Sequence, residues 1–406
     1  MTEPSFAGRL RALREASGLS LRALARLTFY GKSYLHELET GAKIPTPQIA
    51  RQLDRVLRAN GELVAMAARP GVRRRDLVAA AGLAAALPHT LLSHGRQVGA
   101  ATPARLAERT ARLRRLDNYL GGADTRHAYA AEVESTTRLI RDGSYREAVG
   151  RQLLAILAEQ AQLAGWAAFD AGVHDDAERL YRTSLAAAHE ADDRALIGNG
   201  LALLGYQQLT LQGRSVDLAD AARAAVGAAA TSGVRALLHL RAAWSFANAG
   251  DADTADRYLG IGTTCLAETD GRPEPDWVYW VDGREGEIMT GRCWTVLHRP
   301  VRAIPVLERV LAGFDDTYAR DKALYLTWLA DAYLDANEVE MACDAVATAL
   351  RLAGGVASIR PGQRVDTLLR RLEPHRALPC VVELRALAAE VATRPAPTAA
   401  ATPDSP

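Results

Sequence analysis

The sequence is poor in the residues on which strand-rich and disulfide-bonded proteins depend. Aromatic residues make up 6% of its 406 residues, which argues against an all-β chain. Four cysteines, Cys265, Cys293, Cys343 and Cys380, have neither the density of a disulfide scaffold nor the spacing of a zinc site. We therefore expect reduced, buried thiols and no bound metal.

The sequence also lacks the motifs that catalysis and nucleotide binding require. It contains no GxSxG or HExxH motif, and its nine histidines are scattered. Gly31, Lys32 and Ser33 form only a fragment of a phosphate loop, because Arg26 stands where that loop needs its first glycine. We expect neither enzymatic activity nor a cofactor.

Long apolar runs are absent as well. The apolar stretch after Arg73-Arg74-Arg75 ends at Pro88 and is shorter than the about 18 residues that a membrane-spanning helix needs. It follows a complete basic segment, so it is interpreted as a connecting helix rather than an export signal. The sequence predicts a cytoplasmic protein with no membrane partner.

Charge is distributed unevenly along the chain. Residues 1–75 contain 14 Arg or Lys and 6 Asp or Glu, a net charge of +8, although the whole chain carries only +1. A basic segment followed by an acidic body is typical of a nucleic-acid-binding module attached to a domain with another task. Alanine-rich runs such as 79–86 and 221–230 favour helix throughout.

The basic segment is predicted to form five short helices. Ser20 is a helix cap, Gly41 is a helix stop, and Thr46-Pro47 is a strong helix start. The predicted helices are a first that ends at Gly18, a second from Leu21 to about Thr28, a third from Lys32 to Thr40, a fourth that begins at Pro47 and ends before Asn60, and a fifth over 63–68.

Two short helices joined by a tight turn form a helix-turn-helix, whose second helix enters the DNA major groove. The basic segment closely resembles the Xre/Cro-type phage-repressor helix-turn-helix, and the matching motifs are Leu10-x2-Leu13-Arg14-x3-Gly18-Leu19-Ser20-x3-Leu24-Ala25, Ser33-Tyr34-Leu35-x2-Leu38-Glu39-x-Gly41 and Pro45-x-Pro47-x2-Ala50-x2-Leu53. Two positions depart from the family pattern. Phe29 replaces the usual turn glycine, and Gly31 replaces the usual capping Ser or Thr.

The resemblance implies roles for particular side chains, with double-stranded DNA as the partner. The positions that face base edges in relatives hold Lys32, Ser33, His36 and Glu37, and those that usually touch phosphate hold Ser20, Tyr34 and Lys43. Lys can donate to guanine and Glu can accept from cytosine. Arg14 and Glu39 match a structural ion pair of the family. The alternative is a solvated helix face on a domain that no longer binds DNA.

From residue 141 the sequence changes to repeated helix pairs. The runs Gly172-x4-Ala177-x3-Tyr181-x3-Leu185 and Leu329-Ala330-x2-Tyr333-x8-Ala342-x7-Leu350 have the offsets of the tetratricopeptide repeat, whose period is about 34 residues. Small residues at these offsets let two helices approach, and large residues fill the gaps between pairs. Five or six such pairs fit between 141 and 393.

The predicted fold class is therefore all-α. A five-helix, phage-repressor-like helix-turn-helix domain is followed by an α-solenoid of tetratricopeptide-like helix pairs. The predicted domains are the DNA-binding domain 1–69, a linker with helices 70–140, the repeat domain 141–393 and a disordered tail 394–406.

The first helix of each repeat pair is expected to line a concave surface. The register of the repeat family directs inward Gln162, Trp166, Gln207, Thr210, Trp244, Asn248, Glu285, Thr327 and Asp331. Amides can pair with a bound peptide and tryptophans supply contact area, so the ligand-binding candidates are Gln162, Trp166, Gln207, Trp244 and Asn248. The alternative is that these side chains serve packing alone.

These patterns predict a sequence-specific transcription regulator that binds DNA as a homodimer. The architecture resembles that of peptide-responsive regulators, which implies that the repeat domain dimerises and senses a peptide or another small molecule. The alternative is a protein-interaction scaffold, in which the array binds a protein partner and the DNA-binding head serves recruitment. A closed groove would favour the sensor, and an open array would favour the scaffold.

Overall fold

A computed structural model of the chain describes residues 6–28, 30–41, 43, 45, 47–57, 59, 62, 63, 66, 97–227, 230–268, 271–314, 318–354 and 356–393. The chain divides into two compact units, 1–80 and 81–406. The described residues are helical and contain no strand, only an isolated bridge between Gln97 and Ser144. None of their helices is long and apolar enough to cross a bilayer. Residues 70–96 of the predicted linker and the predicted tail lie outside this described part.

The first unit contains four described helices with bounds close to those predicted. They are α1 (Phe6–Ala16), α2 (Leu21–Thr28), α3 (Lys32–Thr40) and α4 (Pro47–Leu57). The Ser20 hydroxyl accepts a 3.1 Å hydrogen bond from the Ala23 amide, which caps α2. Gly41 ends α3 with φ of +76°, a conformation that glycine adopts without strain. Most of the fifth predicted helix and Phe29 lie outside the described residues.

A small leucine core holds the first unit together. Leu10, Leu24, Leu35, Leu38 and Leu53 are fully buried, so each of the four helices contributes at least one core residue. Their spacing follows the period of an α-helix, which leaves the opposite face of each helix to solvent. The departure at Gly31 has a local consequence, because α3 begins with no side-chain cap.

The second unit is an array of antiparallel helices. They are α5 (Thr102–Leu116), α6 (Gly122–Asp142), α7 (Glu147–Asp170), α8 (His174–Glu190), α9 (Arg194–Gln212), α10 (Val216–Val226), α11 (Ser232–Asn248), α12 (Ala252–Ala267), α13 (Gly283–Val296), α14 (Pro300–Ala312), α15 (Ala319–Asp335), α16 (Val339–Ala353), α17 (Arg360–Arg371) and α18 (Pro379–Thr393). Five successive pairs, from α7 with α8 to α15 with α16, pack tightly within themselves.

Glycines let the paired helices approach closely. A Cβ on Gly165 of α7 would lie 2.5 Å from the ring of Tyr181 on α8, and a Cβ on Gly291 of α13 would lie 2.5 Å from the side chain of Leu307 on α14. Tyr181 and Leu307 are buried in these gaps. In these two pairs, a glycine on one helix therefore faces a large buried side chain on the other.

The array begins earlier than the predicted boundary at residue 141. Helices α5 and α6 fall in the predicted linker, yet both pack against α7. Pro103 was interpreted as a linker residue, but it lies in the first turn of α5, where proline is compatible with helix. Tyr129 of α6 is buried and donates a 2.9 Å hydrogen bond to the Leu113 carbonyl, which joins α6 to α5.

The array closes on itself through Asp170, at the C-terminal end of α7. This carboxylate is fully buried and accepts hydrogen bonds from the Gly122 amide at 2.8 Å and from the Ser358 hydroxyl at 2.8 Å. Arg360 pairs with it at 3.3 Å. The Ile359 amide also donates to the Asp170 carbonyl at 3.1 Å. The segment before α17 is thereby bound to the start of α6 and the end of α7.

Further ion pairs join distant parts of the second unit. Arg320 of α15 pairs at 3.0 Å with Asp117, which follows α5. Arg115 of α5 pairs at 2.6 Å with Asp276, in the segment before α13, and Arg114 contacts the same carboxylate. Because each pair spans more than 150 residues of sequence, these contacts link parts of the second unit that are far apart along the chain.

We expect Asp170→Asn to lower the free energy of unfolding by about 3 kcal/mol or more, because Arg360 would stay buried without its counter-charge. Urea unfolding of the full chain measures the change. Asp344→Asn on the exposed side of α16 is the control and should alter stability by less than about 0.5 kcal/mol. Equal unfolding midpoints for the two variants would contradict this role for Asp170.

Candidate functional site

Helix α3 presents polar side chains beside its buried leucines. Lys32 and His36 are exposed and lie one turn apart, whereas Leu35 and Leu38 are in the core. Ser33 lies on the same helix, but its side chain is outside the described part of the structure. The two described base-facing candidates, Lys32 and His36, are therefore available to a partner of α3.

Three of the remaining candidates lie together, with Lys43 in contact with both Glu37 and Tyr34. The Lys43 ammonium pairs with the Glu37 carboxylate at 3.1 Å and lies 4.9 Å from the centre of the Tyr34 ring. The Glu37 charge is thus compensated, which reduces its repulsion of DNA phosphates. Ser20, a phosphate candidate, uses its hydroxyl to cap α2.

Arg14 and Glu39 form the ion pair that the resemblance implies. The Arg14 guanidinium donates to both carboxylate oxygens of Glu39, at 2.5 and 3.0 Å, and to the Leu19 carbonyl at 2.9 Å. Both side chains are largely buried, and the hydrogen bond that Arg14 donates to Glu39 raises the pKa of Arg14. This pair fixes α3 relative to α1, so it sets the orientation of the polar side chains of α3.

The second unit contains a partly open cavity of about 440 Å³. Its wall comes mainly from the first helix of each pair, at spacings of three and four residues that share one helix face. On α9, for example, the lining residues are Asn199, Leu203 and Tyr206. Trp277 and Trp280, from the segment before α13, complete an aromatic part of the wall.

Two of the five ligand-binding candidates, Gln162 and Trp166, line this cavity. The Gln162 amide is already satisfied. It donates to the Ser184 hydroxyl at 3.0 Å and to the Leu196 carbonyl at 2.8 Å, and it accepts from Asn199 at 2.7 Å. Gln162 therefore ties α7 to its neighbours, whereas Trp166 offers its ring to the cavity.

The other three candidates do not line the cavity, and the repeat register is the reason. Gln207 is buried and donates to the His174 carbonyl at 2.7 Å, while its neighbour Tyr206 faces the cavity. Trp244 lies one turn beyond Arg241, the residue of α11 that reaches the cavity. Asn248, one turn further, is exposed and donates to the Trp244 carbonyl.

The other residues that the repeat register directs inward also lie in different places. Glu285 lines the cavity. Thr210 is exposed, and the buried Thr327 donates to the Leu324 carbonyl at 2.6 Å. Asp331 pairs with Arg364 at 2.5 Å and also contacts Arg371.

Trp244 has a supporting role behind the cavity. The Arg292 guanidinium lies 4.3 Å from the centre of the Trp244 ring and 5.3 Å from that of Trp328, and the two rings meet edge to face at 5.1 Å. Cation–π contacts of this kind hold a guanidinium without using its hydrogen-bond donors. One Arg292 nitrogen donates to the Tyr206 hydroxyl at 3.1 Å.

The sequence reasoning missed the arginines around Tyr206. Arg241, Arg292 and Arg360 all line the cavity. In the sequence, nothing distinguishes them from the other arginines of the second unit. Burial by itself raises the pKa of Tyr206, but the charges of Arg292, Arg360 and Arg241 outweigh it and lower this pKa to about 7. On α9, a repeat register shifted by one residue would have predicted that Tyr206, and not Gln207, faces the cavity.

Comparison with known proteins bears on the first unit alone. Residues 5–67 match the family model described as a helix-turn-helix domain. No curated protein matches the chain. The predicted helix-turn-helix is thereby confirmed, while the Xre/Cro class and the tetratricopeptide-like class of the second unit stay predictions.

The three arginine charges around Tyr206 give a prediction for the pH titration of the folded chain. We expect one tyrosine to ionise near pH 7, because three guanidiniums stabilise its phenolate, whereas ordinary tyrosines ionise near pH 10. Ultraviolet absorbance of the folded chain measures tyrosinate. Tyr206→Phe should remove the early transition, and Tyr119→Phe, at an exposed position, should keep it. A native chain that titrates like Tyr206→Phe would refute this assignment.

Proposed function

We propose that the chain is a DNA-binding transcription regulator, in which the first unit binds double-stranded DNA and the second binds a small ligand. The helix-turn-helix match over residues 5–67 carries the first part. The exposed Lys32 and His36 on α3, backed by the Arg14–Glu39 pair, support α3 as the helix that enters the major groove. The proposed role is regulation in the cytoplasm rather than catalysis.

The cavity in the second unit supports a ligand sensor over a scaffold. A scaffold needs an open concave face that a protein partner can reach. Here the Asp170 contacts bind the segment before α17 to the start of α6, and the inward faces of the helices surround a cavity of about 440 Å³. Sites for small molecules commonly have volumes of about 300 to 1,000 Å³.

We further propose that the chain binds DNA as a homodimer, because one head of this size makes few base contacts. Two recognition helices would then occupy successive major grooves of a pseudo-palindromic site. Sedimentation of the full chain at micromolar concentration should give the mass of a dimer. A monomer that nevertheless binds its selected duplex tightly would contradict this part of the proposal.

Selection of duplexes from a random pool tests DNA binding directly. The full chain should enrich a defined sequence, and its affinity should fall steeply with salt because the basic head displaces counterions from phosphates. Lys32→Ala should change the selected sequence and cost about 1 to 3 kcal/mol at one base position. Failure to bind any duplex at low salt would overturn the proposal.

Lys43→Ala provides the contrasting variant in the same experiment. It removes a phosphate candidate and also leaves the Glu37 carboxylate without the partner that it has at 3.1 Å. We therefore expect weaker binding to all duplexes alike, with the selected sequence unchanged. Arg182→Ala, at an exposed position of the second unit, should affect neither property.

A further inference from the structure

The charges in the cavity are only partly compensated by the protein. Arg320 pairs with Asp117 and with Asp321, each at 3.0 Å, and Arg360 pairs with Asp170 at 3.3 Å. These two arginines have carboxylate partners from the chain itself. Their charges therefore need no ligand.

Arg241 differs from these two arginines. Among the residues that the structure describes, no carboxylate lies within 4 Å of its guanidinium and no acceptor hydrogen-bonds it. Burial lowers the pKa of Arg241, which means that the folded protein disfavours its charge. Arg241 is half-buried and lines the cavity, so a bound ligand could supply acceptors for its unused donors.

Aromatic rings hold Arg241 in place. Its guanidinium carbon lies 4.7 Å from the centre of the Tyr206 ring, 5.8 Å from that of Trp280 and 5.9 Å from that of Trp166. Ring faces attract a cation but do not accept its in-plane N–H bonds. The donors of Arg241 therefore have no acceptor among the described residues and are open to the cavity, which suits a planar, two-oxygen acceptor.

Glu285 is a carboxylate whose charge acts on Arg241, but it is hydrogen-bonded to another residue. Its carboxylate accepts a 3.0 Å hydrogen bond from the Tyr325 hydroxyl. Burial raises the pKa of Glu285, although Arg241 and Arg292 oppose that rise. Glu285 thus influences Arg241 only from a distance and does not satisfy its donors.

We propose that the cavity binds a small organic anion, whose carboxylate or phosphate oxygens accept hydrogen bonds from Arg241 while its apolar body packs against Trp166 and Trp280. This inference names the ligand class of the cavity to which the proposed function assigns sensing, and it rests on that assignment. The same three guanidiniums that favour the phenolate of Tyr206 favour a bound oxyanion. The aromatic wall contributes apolar contact area.

Matched aromatic probes test the charge requirement. Benzoate and phenyl phosphate carry the two oxyanions, and benzamide is the neutral counterpart of benzoate. In calorimetric titrations of the full chain at constant ionic strength, we expect at least one anion to bind about tenfold or more tightly than benzamide. Equal affinities for all three compounds, or no binding of either anion, would overturn the inference. The stronger anion identifies the oxyanion that the site prefers.

Arg241→Gln tests the residue. It should weaken binding of the preferred anion by about tenfold or more and leave benzamide unaffected. Arg182→Gln, at an exposed position of α8, is the control and should bind like the native chain. If Arg241→Gln does not fold, Arg241→Lys replaces it, and its loss of the planar donor fork should still weaken the anion more than benzamide. Unchanged anion affinity in a folded variant would contradict the assignment to Arg241.

Tyr206 supplies a second readout. An anion beside Arg241 adds negative charge near the phenol, so its pKa should rise and tyrosinate absorbance should fall at a pH slightly above 7. The signal should be absent from Tyr206→Phe. Anion binding that leaves Tyr206 absorbance unchanged would place the anion elsewhere and overturn the inference.

DNA binding separates failure of the inference from failure of the proposed function. If the anion binds at Arg241 but DNA affinity does not respond, the site exists and the sensing role is wrong. If neither anion binds but the chain still selects a duplex, the ligand class is wrong and the DNA-binding role stands.

Discussion

The second unit depends on the hydrogen bonds and the ion pair that the buried carboxylate of Asp170 makes. Its oxygens accept from Gly122 and from Ser358 and pair with Arg360, so one side chain joins three segments that are far apart in sequence. An open array would leave the inward helix faces in contact with water, where charges are strongly screened. Closure places these faces around a cavity, and electrostatic effects there become large enough to lower the pKa of Tyr206.

Aromatic side chains hold several of the arginines of that cavity in position. Trp244 and Trp328 support Arg292, and Tyr206 lies under Arg241. Stacking positions a guanidinium through its face, so its edge stays available for hydrogen bonds. Arg320 and Arg360 pair with carboxylates that link distant parts of the array, whereas Arg241 and Arg292 are held by rings. This division connects the stability of the fold with the ligand that we propose.

The sequence predicted correctly the features that depend on signals within a few residues. Helices α1 to α4 follow from caps, glycine stops and apolar spacing, and their predicted bounds agree closely with the structure because each signal acts within a few residues. The cavity depends on contacts across more than 150 residues, as between Asp117 and Arg320, which no local pattern encodes. A register error of one residue was enough to select Gln207 in place of Tyr206. The packing of α5 and α6 against α7 likewise depends on contacts between helices, which the local sequence of the predicted linker does not encode.

Thermodynamic linkage between the cavity and the DNA head tests the central claim most directly. The affinity of the full chain for its selected duplex is measured without and with a saturating anion, and the anion affinity is measured without and with duplex. The account predicts that both affinities change by the same factor, about fivefold or more. Trp166→Ala should abolish this coupling, and Asn248→Ala, outside the cavity, should preserve it. Equal anion affinity with and without duplex would contradict the account.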